Sequence, residues 1–170
     1  GPIPSLGTAD FQVAVTGANT FHDFYVLTPE KTVKFQSGQT QNFEGTLSLQ
    51  GAYGKLLNVK STQNGIAWII GEINDYEIKF VSLQDTIYVY AHGPPSLEVV
   101  LSKNLGNNTH LSFRALDFTG SFSSLFSEPL NWSAGFVPGP LDSVNLLANI
   151  TIDGSRTFQG SFIADVPDME

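Results

Sequence analysis

The stretch KLLNVKSTQNGIAWIIGEINDYEIKFVSLQDTIYVYAH, residues Lys55–His92, decides the fold. It reads as four strands separated by three tight turns. Lys55–Ser61 leads to Asn64-Gly65, a strong two-residue turn signal. Ile66–Ile73 ends at Asn74-Asp75, and Tyr76–Leu83 ends at Gln84-Asp85. Thr86–His92 stops at Gly93-Pro94-Pro95, which cannot continue a central strand. Short turns between sequential strands predict antiparallel pairing. In the last strand Ile87 and Val89 share one face, and Tyr88, Tyr90 and His92 share the other.

The rest of the chain extends this pattern. Gly1–Asp10 reads as an arm, 11–164 as a single domain, and 165–170 as a loose acidic tail. Phe11–Val15, Phe21–Leu27, Thr32–Gln36 and Asn42–Gln50 are expected strands; Gly45 within the last predicts a bulge or a close backbone approach. Ser96–Ser102 reads as a strand, with a helix from Ser96 as the rival, and His110–Leu116 alternates cleanly. Phe118–Pro140 has no sustained period and is expected to be a long loop with one helical turn near Ser123–Ser127, its aromatics packing on the core. Asn145–Ile152 and Arg156–Ala164 form an expected hairpin around Asp153-Gly154. Phe43–Leu47, Phe118–Phe122 and Phe158–Phe162 share a pattern at irregular spacing, which we read as recurrent bulged strands rather than a repeat array. The expected fold is all-β: an antiparallel β-sandwich with at most one or two short helices.

Composition narrows the function. The 170 residues carry a net charge of −8, with eight basic residues scattered along the chain, which argues against nucleic acid and anionic membranes. Charged residues make up 14%, against about 25% in typical domains, so amides and hydroxyls cover the surface. There is no Cys, hence no disulfide, thiol nucleophile or zinc–thiolate site. No apolar run reaches the length of a membrane span. Gly1-Pro2 has the form of a protease scar, which would make the chain a fragment.

No catalytic motif, metal-ligand spacing or cofactor motif is present in the sequence, and the chain is expected not to be an enzyme. His22, His92 and His110 fall on different strands, and neighbours His22 and Asp23 would point to opposite faces. Glu72, Asp75 and Glu77 could serve a glycoside-processing enzyme, but a solvated hairpin tip explains them better. Sugar binding needs rings with amides and hydroxyls nearby. The candidate glycan-binding residues are Tyr88, Tyr90, His92, Asn104, Asn107, Asn108 and Trp132. Sequons begin at Asn107, Asn131 and Asn149.

The order of segments resembles the glycan-binding head of the rotavirus outer spike protein. Asp23-Phe24-Tyr25-Val26-Leu27, Val33–Ser37, Leu57-Asn58-Val59 before Trp68, and Val89–Pro94 are similar to successive family segments over the first two thirds of the chain. The resemblance implies a galectin-like sandwich on the virion surface, or otherwise extracellular, that attaches to host glycans, with the rest of the parent spike as partner. It also implies that the loop Ser102–Asn108 contributes to the glycan site, which adds Ser102 to the candidates. Sialic-acid-binding members use an Arg ahead of the Leu57–Val59 position. No Arg precedes Arg114 here, which implies a neutral glycan. One distant head type wraps a sheet around a helix, and a helix at Ser96–Leu105, or over part of Phe118–Pro140, would fit that type. The alternative function is a structural or protein-binding β domain, such as a capsid protrusion or adhesin module, without a glycan site.

Overall fold

A computed structural model describes residues 12–164. The predicted arm and tail lie outside the described residues. The all-β expectation is met, but the pairing is not antiparallel. Every pairing between strands is parallel, and a galectin-like sandwich is therefore excluded.

The strands stack in chain order. On the first face β1 (Gln12–Val15), β4 (Thr32–Phe35), β6 (Leu57–Ser61), β8 (Val81–Leu83) and β11 (Lys103–Asn104) lie side by side in that sequence. On the second, β2 (Asn19–Phe21), β5 (Thr40–Gln50), β7 (Trp68–Lys79), β9 (Thr86–Tyr88) and β12 (Asn108–Thr109) do the same. A third face begins with β3 (Phe24–Val26) against Leu47–Leu49 of β5. It continues through the second half of β7 and passes by the Lys79–Val100 bridge to β10 (Leu97–Val99) and β13 (Leu111–Phe113). The chain thus winds as a three-faced β-solenoid of five coils, each laid on the one before. Parallel neighbours need crossover connections, as in doubly wound α/β sheets. Here strands and corners make the crossings, and no α-helix occurs among the described residues.

Alternation within each strand fills the interior. Val33 stacks on Val59 and Val59 on Leu83, while Leu49 stacks on Ile78, all at most 2% exposed. Phe35 and Trp68 stack at the centre with ring centroids 3.9 Å apart. The alternate residues point outward, so Lys34 lies directly beside Lys60.

The predicted turns exist but act as corners. Gln63 and Ile66 close the tight turn at Asn64-Gly65, with Gly65 at φ +81°. The flanking strands then diverge onto different faces instead of pairing with each other. Asp85 (φ 54°) and Asn107 (φ 53°) turn the same corner in later coils. Phe80 (φ 51°) and Leu101 (φ 49°) turn the corner from the third face back to the first. At Asn74-Asp75 β7 runs straight through, against the expected break.

Gly45 meets its expectation. The β5–β7 register shifts between Phe43 and Thr46, and a Cβ on Gly45 would lie 2.7 Å from the His22 carbonyl oxygen. The Ser96 helix does not form; β10 takes its place.

Beyond β13, β14 (Leu116–Phe118), β15 (Val144–Leu146) and β16 (Phe162–Ala164) make a smaller parallel sheet, so the hairpin expected around Gly154 is also corrected. A second apolar cluster fills it: Leu116, Phe118, Phe126, Trp132, Ala134 and Val144. The helical turn falls at Pro129–Asn131, later than predicted. The cluster packs against Phe80 and Leu101, linking it to a solenoid corner. Of the three matching Phe-x-Gly segments, only Phe43–Leu47 is a bulged strand. Gly120 follows β14 at φ +62°, and Gly160 precedes β16.

Candidate functional site

A cavity of about 380 Å³ opens where the second face meets the third. Its origin is local. In the second and third coils β5 and β7 run straight through this corner, but in the fourth β9 ends at Tyr88 and the chain leaves the stack until Leu97. Gly93-Pro94-Pro95 supports that departure, since prolines cannot donate to a ladder. The gap leaves Phe43, Ile73 and Tyr88 as an apolar floor. Glu44, Glu72, Asn74 and His92 form the rim. Tyr88 is 1% exposed, and burial pushes its phenol pKa upward. Its hydroxyl abuts Gly93, where a Cβ could not be accommodated. An acidic rim over an apolar floor suits a hydrogen-bond-donating or cationic side chain better than an anion. Among the described residues no group of His, Cys, Asp or Glu is placed to hold a metal ion.

Few of the residues predicted to bind glycan meet here. Tyr88 and His92 line the cavity, but Tyr88 is interior. Tyr90 is 46% exposed and packs edge-on against His110 at 5.2 Å. Trp132 lies in the second cluster, 1% exposed, flanked by Phe118 and Phe126, with its indole N–H donating to the Phe126 carbonyl at 2.9 Å. Ser102 is buried; its hydroxyl accepts from the Val81 amide and donates to the Val100 carbonyl.

The three asparagines are engaged internally. Asn104 accepts from the Gly106 amide and from Asn108 Nδ2. Asn108 also donates to the Leu83 carbonyl and accepts from the Thr86 amide. Asn107 Nδ2 donates to Asp85 Oδ1 at 2.7 Å, and Asp85 Oδ2 accepts from the Gly65 amide at 3.0 Å. These amides hold the corners of successive coils. Buried backbone groups must find partners, and here they absorb the side chains that resembled a sugar-binding set.

The carboxylates read as a possible catalytic group are dispersed. Glu72 lines the cavity, the Asp75 carboxylate accepts from the Tyr76 amide, and Glu77 accepts from Gln50. His22 and Asp23 do come together, because they occupy a corner rather than a strand: Nδ1 and Oδ2 are 3.0 Å apart. The Thr46 amide, then His22, holds the Asp23 carboxyl below the usual range. Among the sequons, Asn131 is fully buried and bonded to Phe122, Ser123 and Leu125, whereas Asn149 is exposed and outside any strand, contrary to its predicted place.

Glu44 was missed because it was read only as part of a bulged strand. Its signal was position: it sits beside Gly45, at the bulge that shapes the cavity wall.

No family model, curated protein or solved structure matches this chain. The resemblance to the rotavirus spike head is overturned with the sandwich it required. The glycan-attachment function and the virion assignment drawn from it lose their support as well.

Proposed function

We propose that this chain is a structural or protein-binding β-solenoid module, of the adhesin or capsid-protrusion kind, and not an enzyme. One observation carries the reading. The polar side chains that could have served a ligand — Asn104, Asn107, Asn108, Asp85 and Asn131 — are bonded within the stack, where they fix corners and loops. What the molecule offers outward is flat strand faces and strand edges, the features by which β proteins meet other proteins. The charge of −8 leaves nucleic acid outside its partners.

The test is a turnover screen over glycosides and esters, run on the native chain and on Glu44→Gln and Glu72→Gln. No turnover dependent on either carboxylate is expected. A hydrolysis that falls a hundredfold or more in Glu72→Gln would overturn the reading, because general acid–base removal costs about that much.

A further inference from the structure

Among the described residues the first coil is an open end of the stack. Val13, Val15, Phe21, Phe24 and Val26 face the interior, and each lies one step above a fully buried residue: Val33, Phe35, Phe43, Leu47 and Leu49, all 0% exposed. The upper members are not closed off. Val13 is 39% exposed, and the other four are only partly buried. Among the described residues nothing pairs with the outer edges of β1, β2 and β3. Terminal repeats of solenoids normally carry a polar cap, and exposed edges are normally guarded by charge or proline. Residues 12–28 contain no Pro, Lys, Arg or Glu. Their one acid, Asp23, is paired with His22.

We propose that this coil is the docking surface for a second copy of the chain, stacked end to end. The proposal rests on the protein-binding reading and names its partner. Three arguments select that occupant. The end presents three edges on three faces, so its partner must have the same three-sided outline, and the first coil of another copy has it. A two-fold axis through the middle of β1 would lay β1 antiparallel on its counterpart and bring β2 of one copy to β3 of the other, the isologous geometry of common dimers. Charge agrees: elsewhere the chain's −8 makes copies repel, but residues 12–28 hold a single acid, Asp23, and no Lys or Arg, so little charge opposes the approach of two such ends.

Sedimentation equilibrium of the full chain across the micromolar range tests this. A reversible dimer is expected. Val13→Lys would place two like charges at the two-fold axis and should raise the dissociation constant about tenfold or more. Phe162→Lys, on the exposed β16, should leave it unchanged. A chain that stays monomeric at all concentrations overturns the proposal. So does a dimer that responds to Phe162→Lys and not to Val13→Lys. Either failure leaves the module reading to stand or fall on the turnover screen.

Discussion

The two ends of the first face are built differently. At the start, nothing among the described residues pairs with the outer edge of β1, and the interior column is only partly buried. At the finish, β11 is closed by later chain. The Asn104 amide donates to Asp142 Oδ1 at 2.8 Å, and Asp142 Oδ2 accepts from the Gly139 amide, also at 2.8 Å. Asp142 is 4% exposed, and Lys103 beside it reaches over the Phe136 ring. A carboxylate buried in this way is costly unless it is hydrogen-bonded, which it is. A parallel stack leaves a row of unpaired backbone groups at each end; a single side chain satisfies part of one row, while among the described residues nothing pairs with the other.

Each part of that contrast can be broken by substitution. Trp132→Ala strikes the covered side hardest, because it empties the centre of the second cluster and removes the indole bond to Phe126. A loss of about 3–5 kcal/mol is expected from denaturant unfolding. Asp142→Ala leaves the Asn104 and Gly139 amides without their partner and should cost about 1–3 kcal/mol. Native-state hydrogen exchange should show faster exchange at the Asn104 amide in that variant.

Acid sharpens the contrast through two carboxylates of opposite sign. Burial raises the Asp142 pKa above 3.8, against the pull of the Asn104 and Gly139 amides and of Lys103. The folded chain therefore holds this proton to higher pH than the unfolded chain. Asp142 favours folding at low pH and withdraws that support as pH climbs from 3.8 through its raised value. Asp153 works the other way. Ser127 donates to it from both hydroxyl and amide and lowers its pKa, so its contribution is present above 3.8 and disappears as pH falls through the depressed value. Plots of Tm against pH should show Asp142→Asn losing the first trend and Asp153→Asn losing the second.

The smallest effect belongs to the bare end. Val13→Lys touches an exposed position and should change monomer stability by no more than about 0.5 kcal/mol. A larger loss in dilute solution would mean that this end is already covered.

Much of the local structure could be read from the residues. Gly45 announced a bulge, Asn64-Gly65 a tight turn, and the alternation of Leu57, Val59 and Ser61 an inward face. The failure came one level up. A tight turn fixes the direction of the chain over a few residues, but whether the strands it joins pair with each other depends on which surface each then buries. In this chain the aligned residues Val13, Val33, Val59 and Leu83 advance by unequal steps, because corners such as Thr62–Ala67 are long while the one at Thr16–Ala18 is short. Unequal corners hide the repeat. The same error carried the site with it. Asn107 and Asn108 resemble sugar ligands because their partners, Asp85 for the first and Leu83 and Thr86 for the second, lie one coil away, a proximity that only the parallel stack creates.

That stack has a direct chemical test, since the native sequence contains no Cys to interfere. Lys34 and Lys60 are register partners on adjacent coils and point outward. Parallel neighbours sit about 4.8 Å apart, inside the range of roughly 4.4–6.8 Å between Cα atoms that a disulfide spans. Mild oxidation of the double variant Lys34→Cys with Lys60→Cys should close the bridge in nearly every molecule without unfolding it. Lys60→Cys with Ile69→Cys, which a hairpin around Asn64-Gly65 would place face to face, should stay reduced. The reverse outcome, a bridge in the second pair and none in the first, would contradict the solenoid.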